Sequence, residues 1–121
     1  MKTDEIEKFA DEWIEARSTH GSLENSVLDL ELPFSNPEVC LDVIVRILEK
    51  IEPTTDIELF PVLAAGPLED LLNEHGETVV NKVEVLAGRS PDFRKLLNGV
   101  WDSEVNETVK SRLSKYRDHQ W

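Results

Sequence analysis

LAAGPLEDLLNEHG, residues 63–76, is the stretch that decides the fold of this chain. Its Gly66-Pro67 pair interrupts an apolar helical run, which predicts a break or a kink because proline lacks the amide donor of a regular helix. Ala64–Gly66 is a run of small residues, so another backbone is expected to approach closely there. The apolar face then resumes as far as His75-Gly76, which predicts a helix end.

Apolar residues recur at helical spacing on both sides of this stretch. Residues 36–38 (Asn-Pro-Glu) and 90–92 (Ser-Pro-Asp) each combine a capping side chain, a proline at the first helical position and an early acid, which predicts two helix starts. Ser103 is expected to cap the last helix. The first helix carries an apolar stripe at i, i+3, i+4, i+7 and i+8, formed by Ile6, Phe9, Ala10, Trp13 and Ile14.

The segment Ser22–Ser35 gives mixed signals. Leu28, Leu30 and Leu32 alternate with acids as in a strand, but a lone strand without a partner is unstable. We therefore expect a short helix near Leu23–Leu30, followed by an irregular connection through Leu32-Pro33-Phe34.

These patterns predict an all-α fold: one domain over residues 1–121, a compact bundle of about six or seven short helices in antiparallel hairpins. An α-solenoid-like stack is the alternative, although no repeat recurs three times. No run reaches the roughly 20 apolar residues that span a bilayer, and the N-terminus lacks the apolar region of a signal peptide. We expect a cytoplasmic protein.

The negative charge is large and unevenly distributed. The chain has a net charge of −12, and residues 1–81 hold 19 acidic and 5 basic side chains, a net of −14. Residues 82–121 carry a net of +2. No lysine or arginine occurs between Lys50 and Lys82. Such a field repels nucleic acid and anionic membranes and favours cationic partners, although solubility alone can also account for it.

Residue patterns of known catalytic and metal sites are missing from the sequence. The three histidines are far apart, Cys40 is the only cysteine and is expected to be a small buried hydrophobe, and no GxSxG, HExxH or CxxC motif occurs. Glu69, Asp70 and Glu74 could bind a divalent cation, but neighbouring acids are common on exposed helical faces. We expect no catalytic site, no metal and no cofactor.

Aromatic residues are expected mainly in the core. Trp13, Phe60 and Phe93 lie on apolar stripes, and Val100-Trp101 is expected to turn an apolar pair into the fold. If any indole is exposed as a binding anchor, Trp101 and Trp121 are the better candidates.

Three motifs resemble a known family. DEIEKFADEWIEA (residues 4–16), LAAGPLEDLLNEHG, and the later Phe93-Arg94, Leu97 and Gly99-Val100-Trp101 look like a group of small bacterial proteins known only as a domain of unknown function. The resemblance implies an all-helical, cytoplasmic protein and no particular activity. The motifs themselves suggest small residues, a kink and a buried indole rather than a catalytic site.

The function expected from these patterns is binding rather than catalysis. We expect an immunity protein or inhibitor that neutralises a cationic toxin, plausibly a nuclease, by direct contact. A helical scaffold or adaptor that binds an ordinary protein partner is the alternative. The expected contacts are the seven acids between Lys50 and Lys82: Glu52, Asp56, Glu58, Glu69, Asp70, Glu74 and Glu77.

Overall fold

The computed structural model describes residues 3–18, 32–51, 59–101 and 104–117, and every regular element in these ranges is helical. A π-helical turn, Ala64–Leu68, joins α4 to α5, and a 3-10 turn, Ser114–Tyr116, follows α7. The predicted all-α class is confirmed. The α-helices are α1 (Thr3–Ser18), α2 (Leu32–Ser35), α3 (Pro37–Lys50), α4 (Leu59–Leu63), α5 (Glu69–Arg89), α6 (Pro91–Leu97) and α7 (Glu107–Leu113).

The long helix α5 organises the packing. It contacts α2, α3, α6 and α7, while α1 packs against α3. One face of α5, including Val79, Val83 and Ala87, is completely buried in the core. The expected core positions of Trp13, Phe60, Phe93 and Cys40 are confirmed, since all four side chains are buried.

Helix starts follow the capping residues in two predicted cases. The Asn36 side chain accepts a hydrogen bond from the amide of Val39 at 3.4 Å, and the Ser90 hydroxyl accepts one from the amide of Phe93 at 3.1 Å. The prediction that Ser103 caps the last helix is wrong. That helix begins only at Glu107, and its cap is Asn106, whose Oδ1 accepts from the amide of Thr108 at 2.8 Å.

The Gly66-Pro67 pair lies in a π-helical turn and does not end the helical run. The amide of Glu69 bonds to the carbonyl of Ala64, five residues back, so the turn that contains Pro67 is wider than an α-turn. A proline ring clashes with the carbonyl four residues earlier in a regular helix, and the wider turn relieves that clash.

The helix end predicted at His75-Gly76 coincides with a break in the helical geometry: His75 has φ −137° and ψ 32°, so two helical stretches meet at a kink there, and the second runs on to Arg89. Gly76 is also where another element comes close: a Cβ atom there would lie 3.2 Å from both γ-carbons of Val109 in α7. The close approach expected at Gly66 is absent, since a Cβ there would meet no atom within 4 Å.

Residues 32–35 form one helical turn rather than the expected irregular connection. The amide of Asn36 bonds to the carbonyl of Leu32 at 3.0 Å, and the side chains of Leu32 and Pro33 are buried. Burial of these two apolar side chains favours packing of the segment against the core. The short helix expected near Leu23–Leu30 lies outside the described residues.

Among the described helices, none combines the length and the apolar composition that a membrane crossing requires.

An ionic network joins α1 to α3. The Glu7 carboxylate lies 2.5 Å from Nε of Arg46 and 2.5 Å from Nζ of Lys50, and Lys50 also contacts Asp11 at 2.7 Å. The hydrogen bonds from Arg46, and then from Lys50, lower the pKa of Glu7 from 4.5 to about 2. The hydrogen bond to Asp11 is the main cause that raises the pKa of Lys50.

The lowered pKa of Glu7 predicts an acid-dependent contribution to stability. Because the folded pKa lies below the ordinary value of 4.5, the contribution is fully present above about pH 4.5 and is lost as the pH falls toward about 2. We expect urea unfolding at about pH 7 to give Glu7→Gln a lower free energy of unfolding than wild type. The difference between the two free energies should become smaller as the pH is lowered to about 2.

Glu5→Gln is the matched control, because Glu5 is an exposed acid of the same helix that takes no part in the network. We expect this variant to lose less stability at neutral pH. A stability difference between wild type and Glu7→Gln that stays constant throughout the titration would contradict the assignment.

Two glycines in these helices have space for a methyl group, which predicts stabilising substitutions. Gly66→Ala and Gly88→Ala should each raise the free energy of unfolding by about 0.5–1 kcal/mol, because alanine loses less backbone entropy in a helix. Gly76→Ala should gain less or lose stability, since its methyl group meets Val109. Urea unfolding measures all three, and a loss of stability in Gly66→Ala would show that the π-helical turn requires glycine.

Candidate functional site

The structure places four of the seven predicted contact acids on one segment, the first half of α5. Glu74 and Glu77 are exposed, whereas Glu69 and Asp70 are partly buried. Asp70 and Glu74 are four residues apart and therefore neighbours on the helix surface, where like charges cost a little stability. The other three predicted acids, Glu52, Asp56 and Glu58, lie outside the described residues.

Six cations of the described residues form ion pairs with acids outside this segment. Beyond the α1–α3 network, Lys82 pairs with Glu38 at 3.4 Å and Lys110 with Glu107 at 3.3 Å. Arg112 and Lys115 both pair with Glu84. Within the described ranges, no ion pair reaches the following three acids: Glu69, Glu74 and Glu77.

Trp101 lies directly beside this acidic segment. Its backbone amide donates a hydrogen bond to Oε1 of Glu69 at 3.0 Å, and its side chain is 71% exposed. The expectation that Val100 and Trp101 both turn into the fold is therefore right for Val100, which is buried, and wrong for Trp101. The buried indole that the Gly99–Trp101 motif suggested is wrong for the same reason, whereas the choice of Trp101 as a candidate for an exposed indole is confirmed.

Hydrogen bonds fix the turn that leads to Trp101. The amide of Gly99 donates to the carbonyl of Leu96 at 3.0 Å, and the amide of Val100 donates to the carbonyl of Leu97 at 3.2 Å. The Arg117 guanidinium donates to the carbonyl of Val100. Because the buried Val100 side chain holds the turn in the core, the backbone position of Trp101 is set before any partner binds.

A second surface feature is an apolar groove between α3 and α5, which the sequence reasoning missed. It has a volume of about 400 Å³ and is lined by Leu41, Asp42, Val45, Asn81, Lys82, Val85 and Leu86. Val85 is 54% exposed. The sequence signal was present, because Val85 lies outside the stripe of Val79, Val83 and Ala87 that faces the core.

His75 connects the kink of α5 to α2. Its Nε2 atom lies 2.9 Å from the carbonyl oxygen of Phe34. A carbonyl oxygen only accepts, so the ring carries its proton on Nε2 in this contact. The other two histidines, His20 and His119, lie outside the described residues. In the ranges that the structure describes, no three His, Cys, Asp or Glu side chains converge as metal ligands would.

Comparisons with known proteins identify the family but no characterised relative. No curated protein and no solved structure matches the chain. The family of unknown function DUF6869 matches residues 15–121, which include every helix from α2 to α7 and all the surface features described above. The chain therefore belongs to DUF6869, a family of unknown function.

Proposed function

We propose that this is a non-catalytic, cytoplasmic bacterial protein that binds a basic protein through the acidic first half of α5. In its most specific form, the proposal is an immunity protein or inhibitor that neutralises a cationic toxin by direct contact. The observation that carries it is that Glu69, Glu74 and Glu77 have no cationic partner within the described ranges. The excess of acidic over basic side chains in the sequence also favours a basic partner.

A nuclease is the toxin class that fits the charge best. Nucleases bind a polyanion, so their substrate clefts carry lysine and arginine side chains. Carboxylates on a rigid helix can occupy such a cleft in place of phosphates and exclude the substrate. The net charge of −12 would also speed the encounter with a cationic protein, by about 10–10³-fold at low salt.

The test compares two variants that lose the same charge at different places. The first, the α5 triple variant, carries Glu69→Gln, Glu74→Gln and Glu77→Gln. The matched control carries Glu5→Gln, Asp42→Asn and Asp92→Asn, three exposed acids on other helices. Each variant is immobilised and exposed to an extract of the native bacterium at about 50 mM salt, where screening is weak.

We expect wild type and the control variant to capture the same small basic protein, and the α5 variant to lose it. Raising the salt to about 500 mM should release the partner, because exposed charges are then screened over a few ångströms. Purified partner should then show nuclease or other toxic activity that wild type inhibits and the α5 variant does not. A neutral partner that both variants retain at high salt would contradict the proposal.

The apolar groove favours a second candidate, a helical adaptor whose partner is an ordinary protein. The exposed Val85 side chain and the half-buried Val45 and Leu86 offer an apolar surface to a partner helix. Val85→Asp should abolish binding of such a partner, because it places a charge in the groove. Binding that survives high salt but is lost in Val85→Asp would favour the adaptor over the inhibitor. Binding that is unaffected by Val85→Asp would exclude the groove as its contact.

A further inference from the structure

Trp101 differs from an ordinary exposed hydrophobic residue because hydrogen bonds fix its backbone position. Single exposed apolar side chains are normal on protein surfaces and need no explanation. Here, however, two contacts fix the backbone that leads into Trp101: the Trp101 amide bonds to Glu69, and the preceding residue is buried and accepts a hydrogen bond from Arg117. An aromatic anchor whose backbone is already fixed loses less conformational freedom when it binds than one on a mobile loop.

Glu69 contributes a carboxylate at the same place. One oxygen, Oε1, accepts from the Trp101 amide at 3.0 Å, and the described residues provide no cation to this carboxylate. The indole N–H of Trp101 likewise has no acceptor among the described residues. The aromatic ring of Trp101 and the carboxylate of Glu69, which has no cationic partner among the described residues, therefore belong to two residues that are joined by a hydrogen bond.

This pair of groups matches one side chain in particular. A guanidinium is planar, so it stacks on an aromatic ring while its edge donates hydrogen bonds to a carboxylate. A lysine ammonium supplies the charge but not the planar face. A phosphate or a nucleic acid would be repelled by Glu69, and a purely apolar segment would leave that carboxylate without a cation.

We propose that Trp101 and Glu69 form the receiving site for an arginine side chain of the basic partner. The indole stacks on the guanidinium, and Glu69 accepts its N–H donors. The inference rests on the proposed function, because the arginine comes from a cationic protein. It adds the aromatic anchor of the interface and the residue type that the anchor recognises.

The test uses two synthetic peptides that differ only in the cation, Ac-GRRGRRG-NH2 and Ac-GKKGKKG-NH2, at low salt. Binding is followed by NMR through the indole N–H signals, which are assigned with a Trp101→Phe variant. The arginine peptide should shift the Trp101 signal, leave the signal of the buried Trp13 in place, and bind more tightly than the lysine peptide.

Substitutions separate the ring from the charge. Trp101→Leu should weaken binding of the arginine peptide by about 5–30-fold and abolish the preference for arginine over lysine. Trp101→Phe should recover part of the preference, because a smaller aromatic face remains. Glu69→Gln should also weaken binding, while its amide oxygen can still accept from the Trp101 amide and hold the turn.

Two controls remove comparable groups elsewhere. Phe34→Leu removes a ring that is 47% exposed, and Asp92→Asn removes an exposed acid of α6; neither should change the preference for arginine. Urea unfolding of Trp101→Leu should match wild type, because the indole is mostly exposed.

The outcomes distinguish this inference from the function on which it rests. Equal binding of the two peptides by wild type, unchanged in Trp101→Leu but lost in the α5 triple variant, would overturn the arginine site and leave the basic-partner proposal standing. Absence of binding to either peptide, together with no capture of a basic protein from the extract, would overturn both.

Discussion

Burial of one face of α5 is the interaction on which the rest of the structure depends. Val79, Val83 and Ala87 are completely buried on this helix, and four other helices pack against it. A helix that buries one stripe must present its remaining positions to solvent. The packing that closes the core therefore also decides where Glu74 and Glu77 lie, and the acidic segment is a consequence of the fold as much as of the sequence.

Rigidity follows from the same arrangement. Helical elements follow one another without a connecting loop from Leu59 to Arg89: the π-helical turn accommodates Pro67, and the non-helical φ and ψ of His75 kink α5 between two helical stretches. The kink is tied to α2 through the contact between His75 and the Phe34 carbonyl. An acidic surface that is already ordered needs less reorganisation when a partner binds, which is what a tight inhibitor requires.

Local chemistry explains which parts of the fold were predictable from the sequence. The starts at residues 36–38 and 90–92 were predictable because the cap, the proline and the amide that is bonded lie within four residues of one another. The break at His75-Gly76 was predictable from the local signal, but the close approach of Val109 to Gly76 was not, because Val109 belongs to another helix. The Asn106 cap was missed because Ser103 offers a similar signal three residues earlier.

The candidate site was only partly predictable for a related reason. Acids can be counted in a sequence, but whether each one has a cationic partner depends on pairs such as Glu7 and Arg46, which are 39 residues apart. The backbone amide of Trp101 likewise bonds to Glu69, a residue 32 positions away in the sequence. The groove beside Val85 requires two helices to be placed side by side, and no single stretch of sequence encodes that.

Hydrogen–deuterium exchange of the complex with its captured partner, compared with the protein alone, tests most directly where the partner binds. The account predicts slower amide exchange over residues 69–77 and at Trp101, with unchanged exchange over residues 41–45 and 81–86. Protection confined to residues 41–45 and 81–86 would place the partner in the apolar groove and contradict an interface built on the acids of α5.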